Sequence, residues 1–253
     1  MRIVITGGRS SIAQAIASDR CARGDEVCLT ASAAASLEDL EAQCRARGIE
    51  AECAVFDLAR PGMAGEEFDA RLRAADALVL VAATPVRTLD RFHAVPAAEV
   101  DEAVEADIKG NLHLLRRTLP GMLDRAFGRI VFVSSVSVPM GTSHYGTYCV
   151  TKSAVEGLIL NIAVDYGDRN VLANIVRLGV FKTGRTERFW SRPRYAARAA
   201  AVIPQGTLGE AGAVAEAIQP LLSPSQYING SVITVAGGLP LVKTSAFRAR
   251  KDE

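Results

Sequence analysis

Short runs of β-branched and other apolar residues alternate along the chain with longer segments of helical periodicity. Seven apolar runs are predicted to be strands: Arg2–Thr6, Glu26–Thr30, Glu52–Phe56, Ala77–Ala82, Arg129–Ser134, Val171–Arg177 and Ser231–Val235. Apolar residues spaced three and four apart predict helices over Leu37–Arg47, Glu66–Ala74, Val100–Leu123 and Tyr148–Tyr166. Most of the predicted strands are apolar throughout, which is typical of a parallel sheet covered on both faces.

The order of these elements predicts the fold class. Strands separated by helices indicate right-handed βαβ units and an α/β fold with a doubly wound, Rossmann-type parallel sheet of about seven strands, with helices on both faces. The 253 residues show no repeat or linker, so a single domain over residues 1–253 is expected. Two segments interrupt the alternation. Residues 184–205, with five arginines, are predicted to be a substrate-binding loop or helix, and residues 242–253 form a basic tail that closes over a cleft or reaches a neighbouring subunit.

Composition and charge narrow the class of protein. A hydrophobic content of 49% and a charged content of 23% are typical of a soluble globular protein. The net charge of +1 gives no reason to expect a nucleic acid or an acidic membrane surface as partner. Five scattered cysteines without a CxxC pair favour reduced thiols and a cytoplasmic location. No run approaches the ~20 apolar residues of a membrane span, and the three histidines form no metal-binding motif, so neither membrane nor metal is expected.

The first predicted strand leads into the sequence TGGRSSIAQAIA. A strand, a glycine turn and a helix start are the parts that bind a pyrophosphate, because glycine lets the backbone approach and the first helical N–H groups face the anion. Gly7, Ser10, Ser11 and Ile12 are therefore cofactor-binding candidates. Later loop positions are Ser11 and Ala13 instead of glycines, so an ordinary β-to-α turn remains an alternative.

The second strand bears on the choice of cofactor. It ends in LTAS, where an acidic residue would hold a ribose 2′-hydroxyl, and Ser32 stands there without any Asp or Glu. The missing acid and the presence of Arg9 in the glycine loop favour NADP(H) over NAD(H); the alternative is that Arg9 points to solvent. Asp57 and Leu58, in VFDL at the end of the third strand, are expected at the adenine, unless Asp57 caps a turn.

Tyr148 and Lys152 stand four residues apart at the start of a long predicted helix, and Ser135 lies thirteen residues before Tyr148 at a strand end. Residues i and i+4 share a helix face. A free phenol has a pKa near ~10, and a nearby ammonium is expected to lower it toward the range useful for proton transfer. The Ser135 hydroxyl is expected to hold a substrate carbonyl against the phenol. The three residues together predict a proton-transfer site.

These motifs, in this order, resemble the short-chain dehydrogenase/reductase family over essentially the whole chain. TGGRSSIA stands at that family's glycine loop, VFDL at its adenine-contacting aspartate, and SSVS with YCVTK at its serine, tyrosine and lysine. NIVRLGVFKT and YINGSVITVAGG match the segments around its last two strands. The resemblance implies that Tyr148 is the general acid/base, that Lys152 tunes it and binds the nicotinamide ribose, and that Ser135 orients the carbonyl.

The resemblance also assigns residues to the nicotinamide. Phe181 by its backbone and Thr183 by its hydroxyl are expected at the carboxamide, Gly179 is expected to allow its close approach, and Ala82 is expected among the cofactor contacts. The family usually has NNAG after the fourth strand, and here LVAA (residues 80–83) replaces it, so the side-chain hydrogen bonds of two asparagines are lost. Leu178 and Ala236 replace a proline and an aspartate that are usual in the family.

A further departure concerns the fourth catalytic position. The family's asparagine there aligns with Asp107 in EADIKGN, and the carboxylate is expected to accept a hydrogen bond near Lys152 and to raise the lysine pKa. Asn111, one helical turn later, is an alternative for that role.

The resemblance predicts an NADP-dependent carbonyl or keto reductase that acts as a homo-dimer or homo-tetramer, and the arginines and aromatic residues of 184–205 suggest a small ketone with an anionic or aromatic group. His144, Arg185, Phe189 and Trp190 are the substrate-binding candidates. Two alternatives remain open: a 3-oxoacyl-thioester reductase acting on a carrier protein, and a dinucleotide-binding sensor or scaffold without turnover.

Overall fold

A computed structural model describes residues 1–224 and 227–241, except for the side chains of residues 188 and 189. The predicted tail at 242–253 lies outside the described residues. Seven parallel strands form one sheet in the order β3-β2-β1-β4-β5-β6-β7. The strands are β1 (Arg2–Ile5), β2 (Glu26–Ala31), β3 (Glu52–Val55), β4 (Ala77–Leu80), β5 (Gly128–Ser135), β6 (Val171–Leu178) and β7 (Val232–Val235). The predicted α/β fold with a seven-stranded, doubly wound parallel sheet is confirmed.

Helices fill the connections between the strands. They are α1 (Ser11–Ala22), α2 (Ala34–Ala46), α3 (Glu66–Ala74), α4 (Ala97–Ala103), α5 (Asn111–Asp124), α6 (Ser137–Met140), α7 (Gly146–Asp165), α8 (Glu187–Trp190), α9 (Pro193–Val202) and α10 (Ala211–Ile218). Short 3-10 helices span Pro61–Met63, Phe92–Ala94, Gly167–Arg169, Gly184–Thr186 and Gln219–Leu222. No helix of the described chain is long and apolar enough to cross a membrane.

Two apolar cores lie on opposite faces of the sheet. One contains Ile3, Ile5 and Leu29 together with Ile16 of α1, and the other contains Leu78, Leu80 and Phe132 with Ile159 of α7, so each strand sends alternate side chains to the two faces. This double coverage explains why the strands are apolar throughout, because neither face meets water.

The predicted helix over Val100–Leu123 is interrupted in the structure. It divides into α4, a π-helical turn over Val104–Gly110, and α5. The periodicity continues through the interruption, which is why the sequence pattern predicts one helix. A π-helical turn inserts an extra residue into the helix and changes the direction of the side chains around it, and such turns are frequent at functional sites.

The order of the strands places a cleft above the sheet. The chain proceeds outward from β1 to β3 and then returns to β4 on the other side of β1. In open α/β sheets a ligand binds outside the carboxyl ends of the strands where the order reverses. The carboxyl ends of β1, β4 and β5 therefore define where the functional site is expected.

Candidate active site

A cleft of about 910 Å³ opens at the carboxyl ends of the strands. Its walls include most of the sequence-predicted cofactor and catalytic residues: Gly7, Arg9, Ser10, Ser11, Ile12, Ser32, Asp57, Leu58, Ala82, Ser135, Tyr148, Lys152, Gly179, Phe181, Thr183 and Arg185. These residues come from positions 7 to 185 of the chain, and the fold brings them together. The volume lies at the upper end of the range for small-molecule and cofactor sites.

The glycine turn lies against the end of β4. Gly7 has a φ of 73°, and a Cβ there would lie 3.0 Å from the Cα of Ala82, so both its conformation and its surroundings require glycine. Ser10 is the N-cap of α1, where its hydroxyl accepts the N–H of Ile12 at 3.3 Å. The Ser11 hydroxyl is buried and has no protein hydrogen-bond partner among the described residues. The turn thus brings the start of α1 to the cleft.

The end of the cleft where the adenine is expected holds two ion pairs. Arg9 pairs with Asp39 at 3.1 Å, with both side chains about half exposed. Asp57 accepts the backbone N–H of Ala59 and pairs with Arg60, each at 3.0 Å, so the turn-capping role of Asp57 is present in the structure. The charges at this end are therefore largely balanced within the protein.

Thr6 organises the end of β4, a role that the sequence analysis missed. Its buried hydroxyl accepts the backbone N–H groups of Val81 and Ala82, at 3.0 and 3.1 Å. The strand end is thereby fixed although LVAA lacks the asparagine side chains usual in the family. The apolar run itself gave no sign of this bond, because the donors lie 75 and 76 residues from the hydroxyl.

Ser135, Tyr148 and Lys152 converge at the end of β5. Tyr148 lies in the first turn of α7 with Ser135 as a hydrogen-bond partner. Lys152, which is 4% exposed, donates from Nζ to the carbonyl of Val133 at 2.9 Å and lies 5.9 Å from the centroid of the Tyr148 ring. The helix spacing and the strand end therefore combine as the sequence predicts.

The electrostatic environment of Tyr148 differs from the sequence expectation. Burial raises the pKa of Tyr148 above its usual value, and this effect outweighs the lowering by Arg185 and by the hydrogen bond from Ser135, while Asp107 raises it further. The pKa of Tyr148 is therefore raised overall, and not lowered as the sequence analysis expected, because burial outweighs the effects that favour the phenolate. The physical reason is desolvation, which disfavours a phenolate in a closed environment.

Burial also dominates the environment of Lys152. It lowers the pKa of Lys152 to about 8, whereas Asp107 and Glu156 act to raise it and Arg185 acts to lower it. The effect expected for Asp107 has the predicted direction, but desolvation of the ammonium exceeds it. Lys152 nevertheless remains mostly protonated at neutral pH.

Asp107 and Asn111 have separate roles in the structure. Asp107 is 3% exposed, and its carboxylate accepts hydrogen bonds from the backbone N–H and the hydroxyl of Thr84 at 2.7 and 2.9 Å. Asn111 donates its amide to the backbone carbonyl of Asp107 at 2.6 Å, one turn away. Asn111 therefore supports the helix around Asp107 and does not contact the groups that the Asp107 carboxylate binds.

The residues expected at the nicotinamide form a compact turn after β6. Thr183 caps the 3-10 helix Gly184–Thr186, and its hydroxyl lies 3.1 Å from that of Thr186. The carbonyl of Phe181 accepts the Thr186 hydroxyl. A Cβ at Gly179 would lie 2.8 Å from the Cα of Ala236, so packing against the residue after β7 already requires the glycine, independently of any ligand.

The four substrate candidates do not share one environment. Arg185 extends to the wall of the cleft and donates to the carbonyl of Ala83 at 2.6 Å. Trp190 donates its indole N–H to the carbonyl of Thr183 at 3.0 Å and braces the turn. The side chain of Phe189 lies outside the described residues. His144, exposed and with a φ of 67°, lines a side cavity of about 40 Å³, which has room for only a few water molecules.

A buried ionic network lies directly below Lys152 on α7. Glu156 accepts the hydroxyl of Ser134 at 2.6 Å and two hydrogen bonds from Arg177, at 2.9 and 2.5 Å. Ser134 and Arg177 are paired in register on β5 and β6. The sequence analysis missed this network, although Glu156 repeats the four-residue spacing of Tyr148 and Lys152 and could have been noticed for that reason.

Comparison with known proteins of similar sequence identifies the family to which the chain belongs. Residues 7–240 match the family model described as Enoyl-(Acyl carrier protein) reductase. The chain is 30% identical to D-erythrulose reductase of Gallus gallus over 243 residues, 94% of each chain. It is 29% identical to the 3-oxoacyl-(acyl-carrier-protein) reductase FabG of Rickettsia felis over 145 residues. These residues make up 57% of this chain and 59% of that one.

Solved structures show the same architecture. Levodione reductase has a TM-score of 0.79 at 25% identity, with 93% of this chain and 96% of that one covered. A variant of actinorhodin polyketide ketoreductase with NADPH has a TM-score of 0.81 at 23% identity, covering 94% and 97%. ElxO with NADP bound has a TM-score of 0.83 at 21% identity, covering 93% and 97%. At these last two identities the likeness is one of fold.

The family model and the curated relatives indicate an oxidoreductase of a family that uses nicotinamide dinucleotides. The chain belongs to the short-chain dehydrogenase/reductase family. Members of this family act on small molecules and are commonly oligomeric, and its relatives here include ketoreductases.

Proposed function

We propose that the protein is an NADP(H)-dependent carbonyl reductase that interconverts a ketone and a secondary alcohol. The observation that carries this proposal is the convergence of Ser135, Tyr148 and Lys152 in the cleft that starts at Gly7. The curated relatives, which include D-erythrulose reductase and FabG, favour the same reaction class.

Tyr148 is the proton donor in this proposal. NADPH, when bound, supplies hydride to the carbonyl carbon; Tyr148 gives its phenolic proton to the carbonyl oxygen, and Ser135 donates a hydrogen bond to that oxygen. Because burial raises the pKa of Tyr148, the phenol is protonated near neutrality, which is the form that reduction requires. The Lys152 ammonium favours the phenolate that remains after the transfer.

The residues at the adenine and pyrophosphate end fit a dinucleotide. Gly7 leaves no side chain between the backbone and the cleft, and the start of α1 lies beside it, where its first N–H groups would face an anionic oxygen. Ser32 and Arg9 line the place where a 2′-phosphate would lie, and neither is acidic, which supports NADP(H) over NAD(H). Asp39 opposes this preference, because its carboxylate already neutralises Arg9.

The charge of Arg185, at the end of the cleft that contains Tyr148 and Lys152, supports an anionic group on the substrate. Arg9 and Arg60 each have a carboxylate partner, whereas Arg185 takes part in none of the ion pairs of the described chain. Its guanidinium is exposed and affects both Tyr148 and Lys152 electrostatically. A carboxylate or phosphate beside the reacting carbonyl would be bound by Arg185.

The Tyr148→Phe variant tests the mechanism. The phenyl ring keeps the packing but has no proton to give, so NADPH oxidation in the presence of a panel of ketones is expected to fall by at least roughly a hundredfold. NADPH binding, followed by its fluorescence, is expected to change little. A variant with near-full activity would overturn the role of Tyr148, and a wild-type protein that binds NADPH but reduces no carbonyl would favour the sensor reading.

A second candidate substrate class is a 3-oxoacyl thioester on a carrier protein. The FabG relatives and the description of the matching family model favour it. The arginines of residues 184–205 would suit the phosphate of a phosphopantetheine arm. A higher kcat/KM for an acyl-carrier thioester than for a small ketone carrying an anionic group would select this candidate, and the reverse ratio would exclude it.

Exposed apolar residues on α7 support a homo-oligomer. Val150, Leu160 and Val164 are 58%, 40% and 82% exposed on this helix. Apolar side chains grouped on one helix are typical of a subunit interface. Light scattering of the purified protein is expected to give a dimer or tetramer mass, and a monomer at micromolar concentration would contradict it.

A further inference from the structure

The Asp107 carboxylate is held almost entirely by one residue. Thr84, which follows β4, donates its backbone N–H to one carboxylate oxygen at 2.7 Å and its hydroxyl to the other at 2.9 Å. The Thr151 hydroxyl lies 3.4 Å from the second oxygen and 3.1 Å from the carbonyl of Tyr148. Donors to both carboxylate oxygens fix the orientation of the Asp107 side chain.

The backbone around Asp107 is constrained to keep this arrangement. The π-helical turn Val104–Gly110 contains Asp107, and the side-chain amide of Asn111 binds its carbonyl. A Cβ at Gly110 would lie 2.4 Å from the carbonyl oxygen of Leu58, so the turn packs closely on the loop after β3. The carboxylate therefore has little freedom to turn away from Thr84.

Three charged side chains of the described chain act electrostatically on Lys152. Lys152 is affected by Asp107 from the π-helical turn, Glu156 from its own helix and Arg185 from the turn after β6, and its Nζ also lies 4.6 Å from the centroid of the Phe132 ring. Glu156 is neutralised by its pair with Arg177. Arg185 repels the ammonium. Asp107 forms no ion pair with a cationic side chain in the described chain, and it is the largest of the effects that raise the pKa of Lys152.

We propose that Thr84 is a positioning residue, whose N–H and hydroxyl fix the Asp107 carboxylate so that it faces the ammonium of buried Lys152 beside Tyr148. Thr84 touches no reacting atom in this proposal and acts through Asp107. The inference rests on the proposed function for its effect on turnover, but the protonation of Lys152 is a property of the ligand-free protein and is measured separately.

The first measurement is the titration of Lys152 by NMR in the protein without cofactor. The chain has five lysines, so selective ¹³Cε labelling gives few signals, and Lys152→Met identifies the one of interest. Thr84→Val and Asp107→Asn are expected to lower the midpoint of the Lys152 titration by roughly half a pH unit or more, because the counter-charge is displaced or removed. Thr84→Ser keeps the hydroxyl and is expected to titrate as the wild type does.

A double variant separates this effect from a general loss of structure. Thr84→Val combined with Asp107→Asn is expected to titrate as Asp107→Asn alone, because the charge through which Thr84 acts is gone. Thr84→Ala serves as a second hydroxyl-free variant if the valine prevents folding. An unchanged Lys152 midpoint in a folded Thr84→Val or Thr84→Ala protein would overturn the inference, as would a further fall in the double variant.

The second measurement is the pH dependence of carbonyl reduction. The pH at which kcat falls on the alkaline side is expected to move down in Thr84→Val by the same amount as the Lys152 midpoint, with KM for the ketone little changed. If Lys152 titrates as expected but Tyr148→Phe retains full activity, the proposed function fails and the positioning role of Thr84 stands. If Tyr148→Phe is inactive but Lys152 is unaffected by Thr84→Val, the positioning role fails and the function stands.

Discussion

The buried pair between Glu156 and Arg177 allows a stability prediction with a bounded magnitude. Arg177→Met removes two hydrogen bonds to a carboxylate that is only 7% exposed, and leaves Ser134 as its donor. Removing one partner of a buried ion pair costs about 3–5 kcal/mol. Because Ser134 remains and the arginine side chain is itself 23% exposed, the lower end, about 3 kcal/mol, is expected.

Protonation of the carboxyl sets an upper limit to this cost. An unpaired Glu156 can take up a proton, and doing so at pH 7 from an ordinary pKa of about 4.3 costs about 3.7 kcal/mol, at about 1.36 kcal/mol for each pH unit. At pH 5 the same limit is about 1 kcal/mol. Protonation removes the unpaired charge, so the penalty is expected at neutral pH and is expected to be lost as the pH falls.

Urea unfolding at pH 7 and pH 5 measures the loss of stability in Arg177→Met and the decrease of that loss at the lower pH. At pH 7, Arg177→Met is expected to lose about 3 kcal/mol, or about 6–12 °C in Tm for a chain of this size. The exposed Arg116 provides the matched control, and Arg116→Met is expected to change stability by less than about 0.5 kcal/mol. The double variant Glu156→Met/Arg177→Met is expected to regain most of the loss, because both charges are gone. Equal penalties at the two pH values, or a double variant as unstable as the single one, would refute the reasoning.

Three further predictions concern the cofactor, the packing and the pH dependence of stability. Arg9→Ala is expected to weaken NADPH binding more than NADH binding, and Asp39→Asn is expected to strengthen NADPH binding because it frees Arg9. Equal changes in affinity for the two cofactors in fluorescence titrations would contradict this role of Arg9. Gly121→Ala is expected to destabilise the protein by about 3 kcal/mol, because its Cβ would lie 1.9 Å from a backbone oxygen. Gly157→Ala has open space around its Cβ and is expected to stabilise the protein by about 0.5–1 kcal/mol in thermal unfolding. Similar changes in stability for the two variants would contradict the packing argument. The pKa of Lys152 is about 8 in the folded protein and higher in the unfolded chain, so the unfolded chain binds more protons between these two values and the free energy of unfolding rises with pH there. Lys152→Met is expected to lack this rise. Parallel plots of stability against pH for the two proteins would contradict the effect of Lys152.

The strands could be predicted from the sequence because burial on both faces leaves an unbroken apolar run for each. The predicted run Val171–Arg177 and the observed strand Val171–Leu178 differ at one residue. The helix that contains Tyr148 and Lys152 was equally clear from its spacing. The π-helical turn Val104–Gly110 was not, since its apolar periodicity does not differ from that of the helices beside it.

Contacts between distant segments were also beyond the sequence pattern. Thr84 and Asp107 are 23 residues apart, and Arg185 and Ala83 are 102 apart, so only the folded sheet shows that they meet. Gly179 is an instructive case, because the residue was expected to leave space for a ligand. Its nearest constraint is Ala236 of the same chain, since two strand ends approach each other there.

The helix α9 has no buried residue, whereas α7, which carries Tyr148 and Lys152, is anchored by Val155, Ile159 and Ile162 in the core. The segment around α9 can therefore vary in sequence and length at little energetic expense to the folded domain. A chimaera that receives residues 193–202 from a relative is expected to fold with its proton-transfer groups intact. New substrate preferences would then arise through exchange of a peripheral module, with the chemistry inherited unchanged.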